Sequence, residues 1–159
     1  MVESTDFDRF FRAEHPKLVA CALAMTGDRE SARDVAQEAL LRAYRAWSHV
    51  GDFERPGAWV RRVLVNLVID GQRQRRRERS AVGRLREETT GLCDPETDRF
   101  WAAVRALPDR QRAAVALHYV DDLSVAEVAS ILKIAEGTVK ASLSAARSNL
   151  AVAFGKEVR

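Results

Sequence analysis

The sequence predicts an all-α protein built as two small helical domains joined by a flexible, polar linker. Three observations predict it. Apolar residues recur at a spacing near 3.6 along most of the 159 residues, and β-branched runs of alternating polarity are missing. Hydrophobic residues make up 47% of the chain against eight glycines, enough for real cores in one or two domains. The helical pattern then collapses between about Glu78 and Asp98, where Glu87-Glu88-Thr89-Thr90-Gly91 and Asp94-Pro95-Glu96-Thr97 carry linker chemistry.

Each element has its own local reason. A first helix is expected from about Phe7 to Met25, ended by Gly27 as the residue past the C-cap, with Asp28 as the next N-cap. A second runs from about Arg29 to Trp47 on the apolar stripe Val35, Ala39, Leu40, Ala43 and Trp47. A loop with Gly51, Pro56 and Gly57 follows, covering Ser48 to Gly57. A third helix is expected from Ala58 to near Arg76, burying Trp59, Val60, Val63, Leu64, Leu67 and Val68. Periodicity returns at Phe100, breaks at Leu107-Pro108-Asp109, and restarts with Pro108 near the head of a helix carrying Val115, Leu117 and Tyr119.

Downstream the sequence reads as two short helices and a tight turn. Ser124 with Glu127 three residues later makes a capping box, and Val125, Val128, Ala129 and Leu132 follow at helical spacing. A second helix is expected to open at Thr138, with Val139, Leu143, Ala146 and Leu150 on one stripe. This pattern is a helix-turn-helix, which places one helix in the major groove of DNA.

The net charge of +3 hides an asymmetry. Ten arginines between Arg55 and Arg86 face only Asp70 and Glu78, so this segment carries +8 and the remainder −5. One basic segment in an otherwise acidic chain implies a localised polyanion contact and a separate surface for another partner. Cys21 and Cys93 are far apart, and His15, His49 and His118 are scattered, which fits a reduced cytoplasmic protein without a metal or other cofactor. No signal peptide or membrane span is expected, because no apolar run approaches the ~18 residues a span needs.

On the third helix, Arg62, Asn66, Ile69, Arg73 and Arg76 fall on one narrow stripe opposite the buried face. Arginine grips phosphate or guanine bidentately and asparagine pairs with adenine, so the stripe suits base reading. For an isolated helix a solvated face with cations at the favourable end of the helix dipole is the better explanation, and the helix-turn-helix downstream reverses that preference. Phe53 could stack on an unpaired base or plug the core; Trp47 is read as core. Asp34, Gln37, Glu38, Arg42 and Arg45 on the second helix read as an ordinary charged face with i,i+4 pairs such as Glu38 with Arg42. Asp6, Asp8, Glu14 and His15 lie close in sequence but read as solvated charges. No phosphate loop, nucleophile elbow or Cys/His cluster appears, so the chain is not read as an enzyme.

Taken together, these segments resemble the bacterial sigma factors of the extracytoplasmic-function (ECF) group. The stretch from Gly27-Asp28 through Asp34-Val35-Ala36-Gln37-Glu38-Ala39-Leu40-Leu41-Arg42-Ala43-Tyr44 is similar to region 2.2. Trp59 through Asp70, with the arginines that follow, resembles region 2.4. Leu107-Pro108-Asp109-Arg110-Gln111-Arg112 resembles the opening of region 4, and Leu123-Ser124 through Gly137-Thr138-Val139-Lys140 resembles region 4.2. The resemblance implies residues 1–79 as region 2, 80–98 as linker and 99–159 as region 4. It gives Asp34, Gln37 and Glu38 a partner in core RNA polymerase, through the β′ coiled coil, with the β flap as a further contact. It implies −10 contacts from Phe53, Arg61, Arg62, Asn66, Arg73 and Arg76. It implies −35 contacts from Thr138, Lys140, Ala141, Ser144 and Arg147. Promoter DNA and an anti-sigma factor are the other partners implied, with no membrane contact of its own.

Departures from the family pattern concentrate in the last hairpin. Lys133 stands where the turn usually has glycine, and Ala135 where it has a capping hydroxyl. Ala141, Ser142, Ser144 and Ala145 replace the usual arginines, leaving Arg147 as the next basic residue after Lys140. The expected consequence is weak or relaxed −35 readout. A sigma-like module that only occupies an anti-sigma factor is the rival reading, and a repressor that binds duplex alone is a third.

Overall fold

Helix caps and alanine spacing dictate most of the first domain. The structure, a computed structural model, describes residues 2–82, 95–153 and 155, and every regular element among them is helical. Helices α1 (Val2–Thr26) and α2 (Arg29–Arg45) pack side by side. Gly27 turns between them at φ +72, and Asp28 accepts the Ser31 backbone N–H at 3.1 Å as the N-cap of α2. Ala32, Ala36, Ala39 and Ala43 line the buried side of α2, small enough to let α1 approach with Leu18, Cys21, Ala22 and Met25. The short α3 (Trp47–Val50) and the long α4 (Pro56–Val82) complete the domain, α4 contributing Val60, Leu64, Val65 and Val68.

The second domain comprises α5 (Pro95–Arg105), α6 (Asp109–Val115), a π-helical turn (Ala116–Val120), α7 (Val125–Leu132) and α8 (Glu136–Ala153). Pro108 sits just ahead of α6, as its sequence position suggests. Ser124 caps α7, accepting the Glu127 N–H at 3.1 Å while its hydroxyl donates to the Glu127 carboxylate at 3.2 Å. Lys133 ends α7 at φ 54 and ψ 47, the left-handed conformation its sequence position implied. Val128, Ile131, Val139, Leu143 and Ala146 make the buried seam of the hairpin.

Several boundaries differ from the sequence expectation. α1 begins at Val2 rather than Phe7. α2 stops at Arg45, and Trp47 heads α3 instead of closing α2, so the expected loop shrinks to 51–55. Trp47 packs as a core plug, its ring 5.3 Å from Phe7 and 5.0 Å from Phe10. α4 opens at Pro56, where a proline lacking an N–H is tolerated, and continues through the arginine run to Val82. Arginine is a good helix former, but an exposed run leaves no apolar period to signal it. α5 opens at Pro95, five residues before periodicity resumes in the sequence. α8 opens at Glu136, not Thr138, whose N–H already bonds the Ala135 carbonyl at 3.0 Å. Cys93 and the linker chemistry of 83–94 lie outside the described residues.

The two domains do not stand apart. Their buried apolar side chains form one continuous cluster. α1 packs on α5 and the π-helical turn, and α4 packs on α7.

Candidate nucleic-acid interface

The basic stripe of α4 divides into two fates. Arg62, Asn66, Arg73 and Arg76 do lie on the side away from the first domain's core, and Asn66, Arg73 and Arg76 are exposed. Arg61 is buried, with only 6% of its surface exposed. A signal for this was present in the sequence: at helical spacing Arg61 shares a face with Leu64, Val65 and Val68, not with Arg62 and Asn66.

Arg61 is held from three directions. Its Nε donates to Asp121 at the end of the π-helical turn, and its Nη2 donates to the same carboxylate at 3.2 Å. Its Nη1 donates to the Gly57 carbonyl at 3.0 Å and lies 2.7 Å from Glu14 Oε2 of α1. The Glu14 contact is a close ion pair whose angle falls outside hydrogen-bond geometry. Gly57 permits this approach, because a Cβ there would fall 2.9 Å from Arg61 Nη1. Burial disfavours the charged guanidinium, yet Asp121 and then Glu14 outweigh it and raise the Arg61 pKa above the ordinary arginine value. Nearby, burial, reinforced by the Asp121 charge, pushes the Cys21 thiol up to about 12, which leaves it protonated and unreactive at neutral pH.

Further along, Arg62 reaches across to α7. Its Nε donates to the Ile131 carbonyl and its Nη2 to the Ser130 carbonyl, both at 3.0 Å. These are last-turn carbonyls, which have run out of intrahelical donors. Asn66 and Arg62 line a cleft of about 230 Å³ together with Leu132, Lys133 and Ile134. At the far end of α4, the Asp109 carboxylate accepts from Arg76 Nη2 at 2.8 Å and Arg112 Nη2 at 2.7 Å, with Arg73 Nε at 3.7 Å. Arg112 also donates to Gln72, whose amide donates to the Met25 carbonyl at 2.9 Å. Burial raises the Asp109 carboxyl pKa, but Arg76 and Arg112 outweigh it and hold the group below its ordinary value. Arg112 is lowered, chiefly by its own burial.

On α8, the second helix of the hairpin, Thr138, Lys140, Ala141, Ser144 and Arg147 are all exposed; Lys140, Ser144 and Arg147 share one stripe, Ala141 flanks it and Thr138 lies on the side opposite Arg147. Arg147 donates to the Tyr119 hydroxyl at 2.9 Å. Ala145 is half-buried, so Ala141 and Ser144 are the open positions of that face.

Comparison with known proteins matches both halves. Residues 10–78 match the family Sigma-70 region 2, and residues 97–150 match Sigma-70, region 4. The ECF RNA polymerase sigma factor SigL of Mycobacterium tuberculosis is 37% identical over 131 residues, covering 77% of this chain and 73% of its own length. The chain belongs to the ECF group of sigma-70 factors. SigM of the same organism is 34% identical over 94% of this chain and 77% of its own. The sigma factor RpoE of Bartonella quintana, solved in complex with the anti-sigma factor NepR, superposes with a TM-score of 0.73 at 26% identity, covering 96% of this chain and 98% of that one. CnrH, solved in complex with the cytosolic domain of CnrY, shares the fold with a TM-score of 0.70 at 22% identity, covering 94% of this chain and 87% of that one.

In this sigma factor α2 turns Asp34 and Gln37 to solvent, with Glu38 half-buried and paired to Arg42 at 3.0 Å. Leu41 and Tyr44 are exposed on the same helix, Tyr44 edge-on to Phe7 at 5.0 Å. This mixed apolar and acidic surface was only partly foreseen from the charged residues. Phe53 is 46% exposed in the loop before α4. Among the described residues no three His, Cys, Asp or Glu side chains come together as a metal cluster would need. No described helix is long and apolar enough to cross a membrane.

Proposed function

We propose that this ECF sigma factor brings core RNA polymerase to promoters through two separate surfaces of its two domains. The first domain, residues 1–79, docks on the β′ coiled coil through Asp34, Gln37 and Glu38 and reads the −10 element. The second domain, residues 99–159, reads the −35 element and meets the β flap; residues 80–98 connect them. The observation that carries this reading is the α4 stripe. Arginines surround an exposed Asn66 on a helix preceded by the exposed Phe53. Flipping a base costs a few kcal/mol, and stacking on an aromatic with edge contacts recovers it. Phe53 supplies the stacking face, Asn66 the edge contact, and Arg62, Arg73 and Arg76 the phosphate contacts, whereas Arg61 is buried against Asp121 and Glu14 and is not among them. Thr138, Lys140, Ala141, Ser144 and Arg147 face the −35 groove. With two small or hydroxyl side chains where arginine would reach, that readout is relaxed.

The chain performs no covalent chemistry of its own, holds no cofactor and works in the cytoplasm. An anti-sigma factor is a further partner; the RpoE relative's complex with NepR supports it. The sparse charge of α8 favours the rival reading of a module that occupies an anti-sigma factor without starting transcription. Capture of core polymerase separates them. Wild-type chain should retain core and shift promoter duplex only in its presence, and Glu38→Arg should lose core. Retention of an anti-sigma factor without core would favour the rival, and a shift of duplex by the chain alone would favour a repressor.

A further inference from the structure

We infer that the arginine-lined cavity at the far end of α4 is a binding site for a small polyphosphate anion, a diphosphate group either free or carried by a nucleotide. The site goes beyond the promoter contacts proposed above and does not depend on them.

Five arginines converge there from three helices. Arg75, Arg76 and Arg79 come from the C-terminal part of α4, Arg105 closes α5 and Arg112 lies on α6; together they line a cavity of about 540 Å³. That volume falls within the range of about 300–1,000 Å³ in which proteins hold small ligands. Arg105 lies against the turn between α1 and α2, where a Cβ at Gly27 would collide with its side chain. Arg75 is tied to the start of α2, its Nη2 donating to the Ser31 hydroxyl at 2.9 Å.

The counter-charge is small. Among the described residues lining the cavity, Asp109 is the one acid, so five positive charges face one negative. Its carboxylate is already shared, at 2.8 Å by Arg76 and 2.7 Å by Arg112, with Arg73 outside the cavity at 3.7 Å. Arg112 is the most enclosed of the five, only 4% exposed. Its Nη1 donates to the Arg105 carbonyl at 3.0 Å and the Leu107 carbonyl at 3.1 Å, and its Nη2 to Gln72 and Asp109. Its Nε is buried without a hydrogen-bond partner among the described residues. Burial disfavours the Arg112 cation; Asp109 offsets this in part, and Arg76 works against it. An anion in the cavity supplies the negative charge that this cluster lacks.

The chemistry of the donors selects the anion. A guanidinium offers a planar fork that matches phosphate oxygens in pairs. Five such forks spread over three helices exceed what one phosphate or sulfate can engage, and they suit two linked phosphates. A nucleic-acid strand following α4 would meet the arginines of that helix alone. Arg105 and Arg112 make the surface concave, which fits the compact end of a small molecule.

Calorimetric titration and thermal denaturation of the full chain test the site, using sodium pyrophosphate, ADP and, at matched ionic strength, sodium sulfate. Pyrophosphate should bind saturably and raise the thermal midpoint with its concentration, and sulfate should do neither. Arg105→Ala should weaken pyrophosphate binding by about tenfold or more, the loss of one charge-assisted contact. Arg77→Ala, at an exposed α4 arginine outside the cavity, should leave it unchanged. Should Arg105→Ala fail to fold, Arg75→Ala is read in its place with the same expectation. ADP binding at least as tightly as pyrophosphate assigns the nucleotide; pyrophosphate binding without ADP assigns the free ion. Absence of saturable binding by both, an equal response to sulfate, or an equal loss in Arg77→Ala overturns the site. A single-stranded oligonucleotide whose binding needs Arg105, with pyrophosphate inert, also overturns it and gives these arginines to DNA.

Discussion

Replacing Arg61 with methionine tests the buried ion pair through its pH dependence. The guanidinium is 7% exposed, its partners Glu14 and Asp121 16% and 2%. Methionine fills much of the volume but leaves the Glu14 and Asp121 carboxylates without their cation. Removing one partner of a buried pair costs about 3–5 kcal/mol at neutral pH. The cost is smaller in acid, because protonation removes the charge of a carboxylate left buried without its cation. Urea denaturation followed by circular dichroism at about pH 4.5 and about pH 7.5 reads both effects against wild type. A loss below about 1 kcal/mol at both values, typical of an exposed pair, would refute the buried arrangement.

Other perturbations probe separate parts of the molecule. Lys133→Gly removes a side chain from the left-handed turn and should stabilise the chain by about 0.5–1 kcal/mol in the same assay; a loss of stability would contradict the φ of 54 at that position. The depressed Asp109 carboxyl contributes stability that is complete above about pH 4 and is lost as pH falls through its lowered value. Asp109→Asn should therefore show a shallower fall of thermal midpoint between about pH 5 and about pH 2, and parallel curves would be the contrary result. Ser144→Arg places a cation on the open face of α8 and should tighten holoenzyme binding to −35 duplex while steepening its salt dependence by about one unit of slope; no change would show that this face does not meet DNA.

Local chemistry made much of the fold legible. Gly27, Asp28 and Ser124 announce their turns and caps because the groups that satisfy them lie within a few residues. Lys133 stood out because a lysine occupies a position that needs positive φ. The α4 stripe was readable from helical spacing alone, and Trp47 as core from its place on the α2 stripe. What stayed hidden was either weakly periodic or distant in sequence. The break at Ala46 that creates α3 has neither glycine nor proline to mark it. The continuation of α4 to Val82 is exposed and carries no apolar period. The partners of Arg61 lie 47 residues upstream at Glu14 and 60 downstream at Asp121, a pairing no local pattern reports. Arg61 and Arg62 are adjacent and chemically identical, yet α4 turns one to the interior and the other to α7. The packing of the two domains on each other was likewise absent from a reading of two separate units.

Run-off transcription on sheared genomic DNA, with core polymerase from the same bacterium and with or without this chain, tests the central claim most directly. Discrete new transcripts should appear only when the chain is added, and Asn66→Ala should abolish them while core binding persists. Absence of new transcripts together with absence of core binding would contradict the claim that this chain directs polymerase to promoters.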